Sequence, residues 1–158
     1  MNSDAKKQAL RQITYGLYIV TSQSGDMVVA GTVNWLSQAS FDPPLVMMGA
    51  KADSGLHTAM GNSGVCAINF LSADQQDVAQ DFFKPTNVDG NKINGHAFTT
   101  GSTGSPILDD VYAYLECKVS DNVALGDHTV FVAEVVDAGH RREDKPLEMW
   151  PTNWFYGG

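Results

Sequence analysis

The sequence predicts a mainly β fold with short helices: a small closed or partly closed barrel of about six strands. Two observations carry that expectation. The apolar runs are short, rich in Val, Ile, Tyr and Phe, and bounded by Gly, Pro, Asn, Asp and Ser, which is how strands and their turns read. Their order is dominated by hairpins and not by repeating strand–helix units, which argues against a parallel sheet. The few helices then enter as insertions between strands.

The chain opens with Ser3 or Asp4 as the cap of a helix whose apolar side is Ala5, Ala9, Leu10 and Ile13, spaced three and four residues apart. It should end near Tyr15-Gly16. Gly16 to Ser22 reads as a strand, Gln23-Ser24-Gly25-Asp26 as a hairpin turn and Met27 to Val33 as the returning arm. The stretch from Ala30 to Leu45 begins as the end of that arm. It then breaks into closely spaced hydroxyl and amide side chains (Thr32, Asn34, Ser37, Gln38, Ser40) and stops at Asp42-Pro43-Pro44, where proline ends regular pairing. Leu45 to Ala50 is apolar throughout, as in a strand buried on both faces or lining a barrel.

Asp53 or Ser54 caps a short helix with Leu56 and Met60 one turn apart, broken by Gly61 and Gly64, and Val65 to Leu71 is another buried strand. Ser72-Ala-Asp-Gln75 has the form of a capping box, and the helix after it pairs Val78 with Phe82 and Ala79 with Phe83. Lys84 to Asp110 is poor in regular signal, and loops of that length usually cover a site or reach a partner. Alternation returns at Tyr112–Ser120, with Ala113, Leu115, Cys117 and Val119 on one side and Tyr112, Tyr114, Glu116 and Lys118 on the other. Thr129 to Val136 is the final strand, before the aromatic tail Trp150-Pro-Thr-Asn-Trp-Phe-Tyr156.

With 158 residues the chain fits a single domain, residues 1–158, that can bury a core without disulfides or metal. A net charge of −8 argues against nucleic acid and anionic membrane surfaces as partners. The N-terminus leads into an amphipathic pattern instead of a signal core, and no apolar run approaches the ~20 residues of a membrane span, so a cytoplasmic location is expected. Cys66 and Cys117 each lie in an apolar run without Cys-x-x-Cys spacing and are expected as buried free thiols. His57, His96, His128 and His140 are scattered with no ligand spacing, which argues against a metal site.

The chemistry the residues permit is narrow. There is no phosphate loop of the Gly-x-x-x-x-Gly-Lys-Ser/Thr kind, no Gly-x-Gly-x-x-Gly after a strand and no Gly-x-Ser-x-Gly elbow. Gly101-Ser-Thr-Gly-Ser105 is a flexible loop, and Asp109-Asp110 reads as a solvated face. What remains is a dense polar cradle with few acid–base groups, which points to a bound cofactor that brings its own reactivity. Backbone N–H groups left free where a strand becomes a turn suit an anionic or heteroaromatic ligand.

Five motifs stand in one order and spacing: Thr32-Val-Asn-Trp-Leu-Ser-Gln-Ala-Ser-Phe-Asp-Pro-Pro44, Ser54 with His57, Gly104-Ser-Pro-Ile-Leu108, Glu116-Cys117 and Gly126-Asp-His128. Together, from about Tyr15 to Val136, they resemble the flavin reductase-like family of FMN-binding split barrels. The resemblance implies a six-stranded, Greek-key-like split β-barrel, a homodimer with FMN near the subunit interface, and hydride transfer from NADH or NADPH to flavin N5 with onward electron transfer to an acceptor. By position, Thr32, Val33, Asn34 and Trp35 resemble the segment along the isoalloxazine ring, while Ser37, Gln38 and Ser40 resemble ribityl and phosphate contacts. Ser54 and His57 resemble a second phosphate-side segment, and His128 resembles a histidine that orients nicotinamide or flavin.

Trp35 stands where a small residue such as serine is common, and Leu56 replaces a frequent threonine. The Ser-Gln-Ala-Ser-Phe run is similar to flavin reductase modules associated with flavodiiron proteins, which favours a tightly held FMN and a redox protein partner. Trp35 is expected beside the flavin ring, with the barrel interior as its other direction, and the tail with Trp154, Phe155 and Tyr156 is expected to close over the partner subunit's flavin. The alternative activity is an FMN electron-transfer protein reduced by a protein partner in place of NAD(P)H. A different class is a non-enzymatic barrel that binds a partner through its aromatic tail.

Overall fold

The computed structural model describes residues 1–158. Its helices are α1 (Ser3–Leu10), α2 (Gly55–Ser63) and α3 (Gln76–Asp81). Its strands are β1 (Tyr18–Ser24), β2 (Met27–Val33), β3 (Leu36–Ser40), β4 (Leu45–Lys51), β5 (Val65–Phe70), β6 (Val88–Asp89), β7 (Lys92–Ile93), β8 (His96–Thr100), β9 (Pro106–Leu108), β10 (Ala113–Val123) and β11 (His128–His140).

One seven-stranded sheet, in the order β2-β1-β5-β10-β11-β4-β3, forms the body, and its neighbouring strands pair antiparallel. The connectivity dictates its shape. β2 and β3 are opposite edges of that sheet, yet only Asn34 and Trp35 separate them in sequence. Two residues cannot cross a flat sheet of seven strands spaced ~4.8 Å apart, so the sheet must coil until its edges meet at that junction. The coil is a split barrel, as expected, but with seven strands in place of six and no hydrogen-bonded closure, since β2 and β4 meet only near the junction. There the amide of Gly49 donates to the Trp35 carbonyl at 2.9 Å. Away from it the edges diverge, and α2 packs into the gap against β1 and β2, with Gly55 so near Val29 that a Cβ would lie 3.5 Å from it.

Two apolar clusters explain why several strands read as apolar on both faces. Val20, Met48, Met60, Ile68 and Phe131 fill the barrel, while Ile19, Leu71, Ala79, Phe82 and Leu108 lie outside β1 and β5, beneath α3 and the small sheet. β1 thus sends Val20 inward and Ile19 outward into core on either side. β4 instead lines the barrel with one face, burying Val46, Met48 and Ala50 and leaving Met47 exposed.

Several expectations change. Asn2, not Ser3 or Asp4, caps α1, its Oδ1 accepting from the Ala5 amide at 3.0 Å. The apolar stripe of α1 meets no core in this chain, and none of its residues is buried. α2 runs through Gly61 and stops at Gly64, whose left-handed backbone (φ 69°) ends the helix. Half of the Ser72–Gln75 box forms: Gln75 Oε1 accepts from the Ser72 amide at 2.8 Å, while the Ser72 hydroxyl donates to Asp144 at 2.7 Å. The Lys84–Asp110 stretch holds the four-stranded sheet β6-β7-β8-β9, whose strands are too short for periodicity to register.

Glu116 departs most from its expected exposure. It is 1% exposed, on the face of β10 opposite Leu115 and Cys117, because the Ser102–Thr103 loop covers that face. There it accepts from the amides and hydroxyls of both Ser102 and Thr103 at 2.7–3.0 Å. Burial pushes the carboxyl up, but these four donors outweigh it and hold it below the usual glutamate range. Cys66 and Cys117 face each other across β5 and β10 as buried free thiols, as expected. The hydrogen bond with Cys117, and then burial, push the Cys66 thiol well up. No helix is long and apolar enough to cross a membrane.

Candidate functional site

The gap between the diverging edges opens into a cleft of about 1040 Å³ lined by 25 residues. One wall is the outer edge of β2 from Val28 to Asn34, continued by Phe82–Thr86. The other is the end of β4 (Gly49–Lys51), the start of α2 (Ser54–Leu56) and His128 of β11. The tail, Asn153 to Tyr156, borders both.

The edge of β2 offers backbone groups. Thr86 Oγ1 takes both the amide and the carbonyl of Ala30, at 3.0 and 3.1 Å, so Ala30 turns its peptide groups away from β1. In an antiparallel pair every second residue shares that direction, and Thr32 therefore also aims its N–H and C=O away from β1, along the cleft wall. Its side chain is engaged elsewhere, Oγ1 donating to the Ala79 carbonyl at 2.6 Å. Val33 is buried in the barrel core, and buried Asn34 donates from Nδ2 to the Met149 sulfur at 3.2 Å. What this segment presents to a ligand is main chain.

The opposite wall offers positive potential. Ser54, rather than Asp53, caps α2, its Oγ accepting from the His57 amide at 3.1 Å. The amides of Gly55 and Leu56 begin the helix on the cleft surface, with Lys51 beside them. No Asp or Glu lines the cleft, in a chain of net charge −8, while Lys51 and Lys84 both do. Asp53 and Asp81 pair with those lysines from outside it, at 3.2 Å each.

His128 is fixed at both nitrogens. Asp127 Oδ1 lies 2.8 Å from Nδ1, and the Tyr156 hydroxyl lies 2.8 Å from Nε2. The hydrogen bond from His128 holds the Asp127 carboxyl below its usual range, and a carboxylate can only accept, so Nδ1 carries the proton. In a neutral ring Nε2 then accepts from Tyr156, whose phenol burial pushes up and keeps protonated.

Of the residues singled out in the sequence, Thr32, Val33, Asn34, Ser54, His128 and Trp154 line this one cleft. Trp35, Ser37, Gln38, Ser40 and His57 do not. Ser37, Gln38 and Ser40 belong to the edge strand β3, where two of the side chains satisfy neighbouring carbonyls: Ser37 Oγ donates to the Gln38 carbonyl and Gln38 Nε2 to the Ser40 carbonyl. His57 points from α2 to β11, with Nε2 2.9 Å from Thr129 Oγ1 and its ring edge-on to Phe131. Trp35 belongs to neither core cluster. It lies over Gly49, where a Cβ would come within 3.0 Å of the indole, and backs His128 and Tyr156 with ring centroids 4.5 and 5.4 Å away. The sequence reading missed Lys51, Lys84, Thr86 and Met149. Only Lys51 carried a signal, standing three residues before the cap Ser54; the others reach the cleft through tertiary contacts.

Comparison with known proteins agrees with this geometry. The flavin reductase like domain matches residues 10–157. An FMN reductase (NADH), SmoA, of Agrobacterium fabrum is 32% identical over 143 residues, 90% of this chain and 80% of that protein. Diflavin flavoprotein A 1 of Synechocystis is 33% identical over 87% of this chain, which spans only 24% of that longer protein. The styrene monooxygenase flavin reductase of Pseudomonas putida S12 superposes with a TM-score of 0.76 at 30% identity, over 89% of both chains. The chain belongs to the flavin reductase-like family.

Proposed function

We propose that the protein binds FMN noncovalently in this cleft and catalyses its reduction by NADH or NADPH, the electrons passing on to an acceptor. The observation that carries this reading is the lining: a carboxylate-free cleft with two lysines and a helix N-terminus in an otherwise acidic protein. An acidic chain repels a phosphorylated ligand except where its acids are kept away, and here they are. The cleft volume of about 1040 Å³ lies at the upper end of the ~300–1,000 Å³ of small-ligand sites, which suits a ligand as large as FMN.

The donor set fits FMN. Lys51, Ser54 and the first amides of α2 suit a phosphate, and the free backbone edge at Thr32 suits the alternating donors and acceptors on the rim of an isoalloxazine. When bound, FMN supplies a hydride acceptor at N5. The chain's part would be positioning: the β2 edge would hold the ring, Lys51 and the first amides of α2 the phosphate, Trp154 would exclude water, and His128 would orient the second ring. No side chain has to act as a base.

A homodimer belongs to the same proposal. Leu10 at the end of α1, Ile13 just after it and Trp150 in the tail are exposed apolar residues, and β3 is a free sheet edge, surfaces that a second copy would cover. The exposed hydroxyl and amide row of Ser37, Gln38 and Ser40 would then lie at or near that contact. The free thiols of Cys66 and Cys117 fit a reducing, cytoplasmic location.

The test is a titration of the purified protein with FMN, followed by NADH and then NADPH without air. The expected result is a shifted visible flavin spectrum that bleaches with at least one of the two nucleotides. A protein that leaves the FMN spectrum and its own melting temperature unchanged overturns the assignment.

A further inference from the structure

Three side chains of the tail reach in different directions within three consecutive residues. Trp154 packs edge-on against Phe83, at 4.9 Å, on the wall that continues β2. Tyr156 reaches the other wall, hydrogen-bonded to His128 Nε2 and packed on Trp35. Between them Phe155 turns outward, under the guanidinium of Arg11 at 4.7 Å. The segment therefore spans the cleft from wall to wall.

Its attachment is by side chains only. After the Trp154 amide, which donates to Thr152 Oγ1, no residue of the tail makes a backbone–backbone hydrogen bond. Phe155 and Tyr156 are about half exposed. A segment held this way opens at far lower free energy than the strands around it. The Tyr156 hydroxyl is its one hydrogen bond to the far wall, and that bond uses the only acceptor nitrogen of His128.

We infer that residues Trp154–Tyr156 are a strap across the cleft, latched by the Tyr156 hydroxyl on His128, and that a nicotinamide nucleotide competes with the strap for that histidine. The inference rests on the proposed flavin site. With the latch closed, Nδ1 faces Asp127 and Nε2 faces Tyr156, so His128 has no nitrogen left for a ligand. Releasing Tyr156 frees Nε2 and opens the far wall in one movement, while Asp127 and Trp35 keep the imidazole in place. Tyr156 is then a positioning residue, acting through His128.

Tyr156→Phe separates the latch from the stacking, since it keeps the ring on Trp35 and removes the hydroxyl. A ligand that binds only the open form has its apparent affinity reduced by the fraction of protein that is open. Loss of one hydrogen bond raises that fraction about three- to tenfold. Titration of the FMN-loaded variant with NAD+ should therefore show a dissociation constant lower by about that factor, with FMN affinity within twofold of the parent. Limited proteolysis supplies a readout without turnover: chymotrypsin should cut at Trp154–Tyr156 faster in ligand-free Tyr156→Phe, and faster in the FMN-loaded parent once NAD+ is added. Unchanged or weaker NAD+ binding in Tyr156→Phe, or cleavage in the tail that does not respond to NAD+, overturns the strap. Failure to take up FMN at all would instead overturn the flavin site on which it rests.

Discussion

At the scale of single residues, the cleft assigns different work to side chains that look alike in the sequence. Lys51 adjoins the first amides of α2, whereas Lys84 follows α3 on the other wall. Both are largely exposed and cost little to replace in folding. Lys51→Ala should weaken FMN about tenfold, the loss of one charged phosphate contact, and leave the melting temperature within a degree or two; equilibrium titration and calorimetry read both. Glu116 is the opposite case, far from the cleft and structural. Its carboxylate holds the loop Ser102–Thr103, and Gly101 passes so close to it that any Cβ there would strike the carboxylate. Because its folded pKa is depressed, its contribution is complete above the ~4.3 of an unfolded glutamate and is lost as pH falls through the folded value. Glu116→Gln should cost about 1–3 kcal/mol at neutral pH, and the gap from the parent should close on acidification below about pH 4 in denaturant melts. No sequence pattern pointed to this: alternation puts Glu116 on the face of Lys118, and the cover that buries it comes from Ser102 and Thr103, 14 and 13 residues earlier in the chain.

At the scale of elements, legibility followed burial. β1 and β5 were readable as continuous apolar runs because both their faces are buried, and the Leu115–Cys117–Val119 face of β10 because one buried face imposes a period of two. β3 was not, because an edge strand paired on one side and exposed along its middle selects no apolar residues, and its hydroxyls read equally well as a turn. The cleft segment of β2 was legible, since Thr32 to Asn34 end a strand and begin a junction. Trp35 was readable as unusual but not as to its facing, which depends on the two-residue crossing to β3. The tail was legible only as aromatic. Its role as a cleft wall gives an expectation: ending the chain before Trp150 uncovers Met149 and Phe83 and should weaken FMN about tenfold while lowering the melting temperature by several degrees, measured by fluorescence titration and calorimetry. A truncated chain that binds FMN as the parent does would reduce the tail to surface packing.

At the scale of the whole molecule, coiling and charge combine. The seven-stranded sheet leaves a gap because Asn34 and Trp35 join its edges at one end only, and the gap is where the acidic chain keeps no carboxylate. Fold and site are thus one consequence of the same junction. The most direct test is an anaerobic stopped-flow experiment in which FMN-loaded protein is mixed with NADH, and separately with NADPH. The expected result is that the visible flavin band bleaches in a saturable single phase, much faster than free FMN at the same nucleotide concentration. Bleaching no faster than free FMN with either nucleotide, in protein shown to hold the flavin, would contradict it.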